Sequence, residues 1–489
     1  MNFRSIRFLL IIISLTLCFV SCGEDEGSEN LSGDGDLEVI ETSEDGDTTE
    51  LDSEESKETF PPESQQAFYE KGLILPPHSL ECVPVDTGVP QMECNHHGSS
   101  VAEMPDGTVI AVWYHGECEK CVDSQIVWSK LLPGSEKWTD TEVLYDDPDY
   151  SDGNLTLWVD DDSTIYVVFV TLYDFDWAKG KIRLIKSEDE GETWSDPIFI
   201  REEPCWNVRN HPVKLANGEI LIPCYDECTY LPVYLRTDDK FETWQEESNT
   251  SGEYFMDHIQ QIQPALVVLD DGTVSAVTRD HSAVRRIKRM TSSDNGLTWT
   301  PSIETGLPNS GTGIDQVRLL DGNVVVVFNN HPFNRFPLTV ALSRDGGETF
   351  VAMRDINAEC DEGNCSYSYP SIMQSQTDGN IWVTYTHKRE TIGYVKFNEA
   401  WILESEVHAN ISCLRGKSCQ DGSCFEGCQS DDDCDENFVC YKNGCRLPCS
   451  STEECTDEMQ CNESGFCAFT LDEDRVDQAC TEYPEEAWN

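Results

Sequence analysis

Six short runs of β-branched and aromatic residues recur along the chain, and each begins directly after a turn dipeptide. Apolar runs bounded by Gly, Asn and Asp are typical of strands that are entered through tight turns. Their spacing of about 50 to 57 residues allows roughly four strands per unit. The dipeptides are Asp106-Gly107, Asp162-Ser163, Asn217-Gly218, Asp271-Gly272, Asp321-Gly322 and Asp378-Gly379.

Four octets with the pattern S/T-x-D-x-G-x-T-W, known as Asp boxes, form a second repeat. The Asp can accept hydrogen bonds from nearby backbone N–H groups, the Gly tolerates positive φ, and the Trp can bury its ring under the turn. We therefore assign the octets to folding rather than to catalysis. They cover 187–194, 237–244 (with Phe241 replacing the glycine), 292–299 and 343–350 (which ends in Phe). Both repeats predict an all-β fold, a six-bladed β-propeller, over residues 65–412.

The N-terminal residues 1–21 have the composition of an export signal. Arg4 and Arg7 precede an apolar stretch that is too short to span a bilayer. The tetrapeptide Phe-Val-Ser-Cys that ends at Cys22 resembles a bacterial lipobox, which predicts lipidation of Cys22 and membrane contact through that anchor. Phe is less usual than Leu at the first position, so an ordinary secretory signal is the alternative. We expect an exported protein, anchored by lipid in the bacterial outer membrane or at the cell surface.

Acidic residues dominate the next segment and the chain as a whole. Residues 22–64 hold seventeen Asp or Glu and one lysine, a composition that predicts a disordered, solvated tether. The formal net charge of −59 argues against nucleic acid or anionic lipid surfaces as partners. An acidic sugar is compatible with this charge if the binding pocket supplies arginines. We expect no cofactor.

The 23 cysteines agree with export to an oxidising compartment. Three close pairs are expected to staple loops: Cys118 with Cys121, Cys224 with Cys228, and Cys360 with Cys365. Zinc is the alternative for the first pair, but no second pair stands at zinc spacing, so we predict no metal site. Residues 413–489 carry twelve cysteines in a repeat of 21 or 22 residues, which predicts a separate disulfide-rich module for attachment or spacing.

Propeller topology predicts where chemistry can occur. In an antiparallel blade, the starts of the first strand and the ends of the second strand share the face opposite the Asp boxes, and polar residues of six units converge there. Several arginines around one funnel repel each other unless an anion joins them, and a guanidinium matches a carboxylate bidentately. The catalytic candidates are Tyr367, Tyr369, Glu117, His97, His211 and Asp315. The substrate-binding candidates are Arg279, Arg335, Arg389, Gln263, Asn210, Tyr225 and Glu227.

Between about Asn95 and Phe397 the chain resembles the bacterial sialidase (neuraminidase) superfamily, specifically its BNR-repeat branch. Besides the Asp boxes, the resemblance rests on Asn210-His211-Pro212, Gln263-Pro264 with Arg279, Leu307-Pro308-Asn309 and Tyr367-Ser368-Tyr369-Pro370.

This resemblance implies roles for particular residues. Exo-sialidases bind the sialic acid carboxylate with three arginines, attack with a tyrosine that a glutamate activates, and use an aspartate as acid/base. Arg279 resembles the second arginine and Arg335 the third. The nucleophile resembles Tyr367 or Tyr369, and the two alternatives stay open.

The chain departs from that pattern at several positions. No F-R-I-P motif occurs, so the first arginine is unmatched, and its region offers Asn95, His96 and His97 instead. Gln263 stands where the glutamate partner of the tyrosine is expected, and a neutral amide cannot accept the phenolic proton. Glu117 lies near the expected aspartate and could serve as acid.

We therefore expect a sialidase-like exo-glycosidase that acts on terminal sialic acid or a related acidic sugar. Arg279 and Arg335 hold the carboxylate, and either tyrosine is nucleophile or proton donor. Glu117, His97 and His211 are acid/base candidates. A polysaccharide lyase acting beside a uronic acid is the second hypothesis, because elimination also needs a neutralised carboxylate and a Tyr or His proton shuttle. A glycan-binding propeller without turnover is the third.

Overall fold

A computed structural model describes residues 65–77, 95–238, 240–248, 260–282, 285–359 and 366–404, together with six short strands between Lys417 and Phe469. The predicted signal, the lipidation site at Cys22 and the acidic tether lie outside these residues, as does the Cys360 and Cys365 pair. No helix within the described ranges is both long enough and apolar enough to cross a membrane.

Twenty-five strands build six antiparallel sheets, which confirms the predicted six-bladed β-propeller. β1 (Tyr69–Leu73) belongs to the last blade. Blade 1 contains β2 (Asn95–Glu103), β3 (Val109–Gly116), β4 (Gln125–Leu131) and β5 (Glu142–Tyr145). Blade 2 contains β6 (Ser151–Val159), β7 (Ile165–Leu172), β8 (Gly180–Ser187) and β9 (Ile198–Arg201). Blade 3 contains β10 (Trp206–Val208), β11 (Val213–Lys214), β12 (Ile220–Asp226), β13 (Leu231–Thr237) and β14 (Gln245–Ser248).

The remaining blades follow the same order. Blade 4 contains β15 (Gln261–Val268), β16 (Val274–Asp280), β17 (Arg286–Ser292) and β18 (Ile303–Pro308). Blade 5 contains β19 (Asp315–Arg318), β20 (Val324–Asn329), β21 (Leu338–Ser343) and β22 (Ala352–Asn357). Blade 6 contains β23 (Tyr367–Gln374), β24 (Ile381–His387) and β25 (Thr391–Phe397), and the short helix α1 (Glu399–Leu403) follows it.

The two ends of the propeller segment close blade 6 together. β1 pairs with β25 in antiparallel register, with Tyr69 opposite Phe397. The side-chain oxygen of Asn398 accepts a hydrogen bond from the Phe68 N–H at 3.0 Å, and the Tyr69 ring stacks on Trp401 at 4.5 Å. The first strand of the segment is therefore the outermost strand of the last blade.

Buried apolar side chains fill the spaces between neighbouring blades. Ile110 and Val112 of β3 pack with Val167 and Phe169 of β7, for example. These residues belong to the apolar runs that follow the turn dipeptides. The runs form strands that are buried on both faces. The runs are consequently almost continuously apolar rather than alternating.

The Asp boxes at 187–194, 292–299 and 343–350 form the hydrogen-bonded turns that their sequence predicts. In the box at 343–350, the Asp345 carboxylate accepts from the Thr349 N–H at 2.8 Å and from the Thr349 hydroxyl at 2.6 Å. The Ser343 hydroxyl donates to the same carboxylate at 2.8 Å and accepts from the Gly347 N–H at 2.8 Å. The closing aromatic ring, that of Phe350, is buried.

We expect Asp345→Ala to destabilise the propeller by about 1–2 kcal/mol, because the donors of this turn lose their shared acceptor. The midpoint of thermal unfolding should fall while activity at the opposite face is unchanged. Glu348→Ala is the matched control, since it removes a carboxylate from the same turn but only a long ion pair of 3.9 Å with Arg289. Equal melting temperatures for the two variants would contradict the role of the Asp box.

Three two-stranded hairpins occur in the cysteine-rich segment. They pair β26 (Lys417–Gln420) with β27 (Ser423–Glu426), β28 (Val439–Tyr441) with β29 (Gly444–Arg446), and β30 (Met459–Cys461) with β31 (Cys467–Phe469). The rest of the predicted module at 413–489 lies outside the described residues.

Candidate functional site

The starts of the first strands and the ends of the second strands meet at one face of the propeller, as the strand order predicts. Asn95 at the start of β2 lies opposite Gly116 at the end of β3, and Tyr367 at the start of β23 lies opposite His387 at the end of β24. A cavity of about 160 Å³ opens there. It is lined by Glu119, Asn154, Trp177, Tyr225, Glu227, Ile262, Gln263, Arg279, His281, Arg335, Tyr369 and Arg389.

Tyr369 is the common neighbour of the cationic side chains in this cavity. Its hydroxyl accepts a hydrogen bond from Nη1 of Arg279 at 2.7 Å. The guanidinium carbons of Arg279 and Arg335 each lie 5.7 Å from the centre of its ring. The ring of His97 packs behind it at 4.2 Å between centroids. The phenol oxygen therefore faces a positively charged environment.

A β-bulge aims Tyr369 into the cavity. The register between β23 and β24 shifts between Ser368 and Ser371, and Tyr369 has φ 52°. This left-handed conformation costs an aromatic residue about 1–2 kcal/mol, so the surrounding structure must hold it. The buried guanidinium of Arg209 does so by donating to the carbonyl oxygens of Tyr369 at 2.7 Å and Pro370 at 3.0 Å.

The electrostatic environment lowers the pKa of Tyr369. Burial alone would raise the pKa of this phenol, but the positive charges of Arg279 and Arg335 and a hydrogen bond from Gln263 act against burial. Glu119 opposes them, and the net shift is downward from 10.0. The phenolate of Tyr369 is thus easier to form than that of an ordinary tyrosine.

Gln263 occupies the corresponding position in blade 4. It also has a positive φ of 54°, and the register between β15 and β16 shifts beside it, between Ile262 and Ala265. Its Oε1 accepts from Nη1 of Arg279 at 3.2 Å. Because the carbonyl oxygen of the amide faces Arg279, its NH₂ group is the donor toward Tyr369.

Arg389 brings a third guanidinium to the cavity, from blade 6. Its Nη1 lies 2.8 Å from the Glu119 carboxylate and donates to Oδ1 of Asn95 at 3.0 Å. Its Nη2 lies 3.3 Å from Nε2 of His97. Since a guanidinium only donates, Nε2 of His97 accepts and Nδ1 carries the proton, which is directed at the Thr386 hydroxyl at 2.7 Å.

The imidazole of His97 is therefore neutral. Burial lowers the pKa of His97 well below 6.5, and the charges of Arg389 and Arg335 lower it further. The sequence places His97 in the region of the unmatched first arginine. In the structure, the guanidinium of Arg389, from blade 6, lies beside His97.

Glu227 is a cavity carboxylate whose surroundings favour the protonated form. Burial raises the pKa of Glu227, although the positive charges of Arg279 and Lys120 oppose this shift. Tyr225, the neighbouring predicted ligand, accepts a hydrogen bond from Nδ2 of Asn154 at 2.8 Å.

Several predicted site residues do not line the cavity. Tyr367 is buried in the core, where its hydroxyl donates to the Glu359 carbonyl at 2.7 Å. Glu117 is also buried, and its backbone N–H donates to the Asp123 carboxylate at 2.8 Å. Asn210 donates to the Gln263 carbonyl at 2.9 Å.

His211 and Asp315 form a pair, and neither residue lines the cavity. Nδ1 of His211 lies 3.1 Å from Oδ2 of Asp315, which also accepts from the Ile372 N–H at 3.0 Å. Nε2 of His211 lies 2.9 Å from the Val101 carbonyl oxygen. This pair links the first strands of blades 1, 5 and 6 to the segment that precedes β11.

Glu119, Trp177 and Arg209 were not among the candidates. Glu119 lies in the Cys118-x-x-Cys121 loop, and Trp177 lies in a 3₁₀ turn, Trp177–Lys179, between β7 and β8. Arg209 directly precedes the Asn210-His211-Pro212 motif, which was the available signal for it.

The disulfide prediction is right at one pair and wrong at another. Cys118 and Cys121 form a disulfide as expected. Cys228 bonds to Cys205 and not to Cys224, because the pairing of Trp206 with Asp226 brings the ends of β10 and β12 together. Cys224 is a buried free thiol on β12.

One group of possible metal ligands occurs in the described part of the chain. It consists of Cys205, Asp226 and Cys228. The two sulfurs are joined in a disulfide, so they do not offer thiolates to a metal ion.

The chain matches the BNR repeat-like domain family over residues 107–383. A sialidase of Bacteroides fragilis is 26% identical over 219 residues, which cover 41% of this chain and 38% of that protein. The aligned part therefore spans well under half of that relative.

Solved structures show the same fold at lower identity. A protein of unknown function from Dyadobacter fermentans superposes with a TM-score of 0.53 and 16% identity, covering 62% of this chain and 95% of that one. The Hadza microbial sialidase Hz136 superposes with a TM-score of 0.52 and 16% identity, covering 63% and 66%. Because the family match extends over more than half of the chain, the protein belongs to the BNR repeat-like domain family.

Proposed function

We propose that the protein is a sialidase-type exo-glycosidase that removes a terminal sialic acid or a related acidic sugar. The observation that carries the proposal is the convergence of Arg279, Arg335 and Arg389, from three blades, around the hydroxyl and ring of Tyr369. Such a cluster of cations suits an anionic ligand, and a planar guanidinium suits a carboxylate. The likeness to a sialidase of Bacteroides fragilis supports the same class of substrate.

The size of the cavity favours a terminal sugar over a polymer segment. Its volume of about 160 Å³ is below the roughly 300–1,000 Å³ of pockets that enclose drug-sized ligands. One acidic ring can enter with its carboxylate toward the arginines, and the rest of the glycan then lies outside. Cleavage at the bond next to that ring releases a single sugar.

Tyr369 is the nucleophile in this proposal. Its oxygen attacks the anomeric carbon, the glycosidic bond breaks, and water later releases the sugar from the tyrosine. Gln263 cannot accept the phenolic proton, so the phenol ionises to solvent before attack. The hydrogen bond and positive charge of Arg279 stabilise the phenolate and so lower the pKa of Tyr369, which replaces the action of a carboxylate base.

Glu227 is the proton donor to the leaving oxygen. Its raised pKa keeps the carboxyl group protonated at higher pH than an ordinary glutamate. Glu119 is less suited to this role because its carboxylate is paired with Arg389 at 2.8 Å. Glu117 is outside the lining of the cavity. His97 and His211, the other acid/base candidates, have both ring nitrogens near other groups of the protein.

A fluorogenic sialoside tests the proposal. Release of the fluorophore and of free sialic acid by the purified protein is expected, and loss of both in Tyr369→Phe would assign the reaction to this site. Absence of release, together with a new absorbance near 235 nm on uronate polymers, would contradict hydrolysis and indicate an eliminase. Binding of N-acetylneuraminic acid without either reaction would indicate a glycan-binding protein.

Lyase chemistry is the second candidate, and the absence of a carboxylate at position 263 favours it. A phenolate that arginines stabilise could abstract the proton beside a uronic carboxylate, whose negative charge the same arginines neutralise. The exo-glycosidase is preferred because the small cavity admits one ring.

Export and anchoring complete the proposal. The apolar stretch after Arg7 and the lipobox-like tetrapeptide ending at Cys22 would place the enzyme on a membrane surface, with the acidic segment 22–64 as a spacer. Metabolic labelling with a palmitate analogue should mark the wild-type protein and not Cys22→Ala. Equal labelling of both would rule out lipidation at this cysteine.

Gln263→Glu is expected to raise kcat about 10- to 100-fold at acidic pH, because a carboxylate can act as the general base. The wild-type enzyme gains activity as Tyr369 ionises, so the ratio of variant to wild-type kcat should fall as the pH rises through the lowered pKa of Tyr369. The ratio of variant to wild-type kcat is measured across the pH range. Glu227 is present in both proteins, so its titration affects both kcat values and cancels in the ratio. Gln263→Met, which offers no proton acceptor, is the control and should not exceed wild type at any pH. A glutamate variant that never exceeds wild type would count against the ionisation mechanism.

A further inference from the structure

The two cavity carboxylates lie in loops that are closed by disulfides. Glu119 is inside the loop that the Cys118–Cys121 bond closes, and Glu227 directly precedes Cys228, which is bonded to Cys205. Both carboxylates belong to the lining of the cavity. The disulfides are therefore adjacent to the site.

The first loop holds Glu119 against the third arginine. Its cysteines have Cα atoms 5.2 Å apart and are three positions apart in sequence. Lys120 within it has a φ of 71°, which an open loop would not favour for a lysine. The Cys121 N–H donates to the Cys118 carbonyl at 3.2 Å, and the Glu119 carboxylate lies 2.8 Å from Nη1 of Arg389.

The second disulfide fixes the backbone of Glu227 from both sides. The Glu227 N–H donates to the Cys205 carbonyl at 2.8 Å, and the Cys228 N–H donates to Oδ1 of Asp226 at 2.8 Å. Sγ of Cys228 lies 4.0 Å from the carbonyl oxygen of Ala178, next to the cavity residue Trp177. This bond thus ties the loop after β12 to the segment before β10.

The Cys118–Cys121 bond is poorly placed to stabilise the whole propeller. The entropic effect of a disulfide grows with the length of the loop that it closes, and a separation of three residues is short. The strands flanking Cys205 and Cys228 are already paired, with Trp206 opposite Asp226. The effect of the Cys118–Cys121 bond is therefore expected to be local to Glu119. Cys205–Cys228 closes 23 residues, so its loss is expected to lower the melting temperature as well as to release Glu227.

We propose that these disulfides are positioning elements of the site, a role that rests on the proposed function. Cys118–Cys121 holds Glu119 on Arg389 and so orients that guanidinium for the carboxylate of the substrate. Cys205–Cys228 holds Glu227 where it can protonate the leaving oxygen. The four cysteines act through the two glutamates and do not touch the substrate.

Two paired variants test the proposal, because they separate binding from turnover. Cys118→Ser with Cys121→Ser should raise KM for a fluorogenic sialoside about tenfold and weaken calorimetric binding of N-acetylneuraminic acid to the same extent, with little change in kcat. Cys205→Ser with Cys228→Ser should lower kcat about tenfold and leave KM and binding near wild type. Cys224→Ala is the control for loss of a cysteine, since this free thiol is outside the cavity.

A mutant cycle distinguishes positioning from general destabilisation. Glu119→Gln should raise KM as the first pair does, and adding Glu119→Gln to that pair should produce no further increase. The proposal would be overturned if the KM increases of Glu119→Gln and of the double cysteine variant multiplied in the combined variant. A wild-type KM in the double cysteine variant would overturn it as well. Melting temperatures of all variants show whether folding is affected.

A crystal structure of the Cys118→Ser, Cys121→Ser protein tests the geometry without any assay. We expect the Glu119 carboxylate to leave Arg389. An ion pair retained at the present 2.8 Å would overturn the positioning role even in an active enzyme. Wild-type protein that neither binds nor cleaves the sialic acid probes would instead reject the proposed function.

Discussion

Replacing Tyr369 by Phe is expected to lower kcat by about 10³-fold or more while leaving the propeller folded. The substitution removes the nucleophilic oxygen, and loss of a nucleophile typically removes most of the chemical acceleration. The ring is kept, so its packing against His97 at 4.2 Å and under the arginines is preserved. The measurement is single-turnover cleavage of a fluorogenic sialoside, with the melting temperature recorded in parallel.

Tyr367→Phe is the matched control for this variant. It removes the same hydroxyl two residues away, where the group donates to the Glu359 carbonyl at 2.7 Å and does not reach the cavity. We expect a stability loss of about 1 kcal/mol and unchanged kcat. A larger kcat defect in Tyr367→Phe than in Tyr369→Phe would reverse the assignment of the nucleophile.

Removing both guanidinium groups with Arg279→Ala and Arg335→Ala should lower kcat/KM by roughly 10²–10⁴-fold, because each charge-assisted pair contributes about 1.5–3 kcal/mol. Arg335→Ala alone should act mainly on KM. Arg279→Ala should also lower kcat, since this side chain donates to the Tyr369 hydroxyl at 2.7 Å. Steady-state kinetics of the single and double variants separate these effects.

Two further variants define what the arginines contribute. Lysines at both positions keep the charge but lose the planar fork, so an intermediate defect is expected. Arg318→Ala is the control for loss of a surface cation, because this residue ends β19 and pairs with Asp270. Full activity in the double alanine variant would disprove that these residues bind the substrate.

The repeats could be predicted from sequence because their interactions are local. An Asp box satisfies its hydrogen bonds within about one turn, as the contacts of Asp345 with Ser343 and Thr349 show. Each turn dipeptide is likewise followed by the strand that it starts. The number of blades then follows from counting.

The choice between the two tyrosines could not be made in this way. Residues two apart lie on one side of a regular strand, yet Tyr367 is in the core and Tyr369 is in the cavity. The β-bulge after Ser368 and the positive φ of Tyr369 separate them. A bulge depends on the neighbouring strand and leaves no clear sign in one sequence.

Contacts between segments that are distant in sequence account for the other differences. Arg389 occupies the cavity from blade 6, whereas the family resemblance predicts a first arginine in the region of blade 1. Cys205 is 23 residues from Cys228 and became its partner through strand pairing, while the nearer Cys224 faces the core. Nearness along the chain was a poor guide in both cases.

The pairing of β1 with β25 has a consequence for how the ring forms. The two strands are separated by the whole length of the propeller segment, so the entropy of joining them is recovered only when the intervening blades are in place. Until then the last blade presents an unpaired edge along 391–397, which is a template for joining another chain. The first strand of the propeller segment to emerge during synthesis is thus the last to find its partner, and it covers the edge along 391–397 when the ring closes.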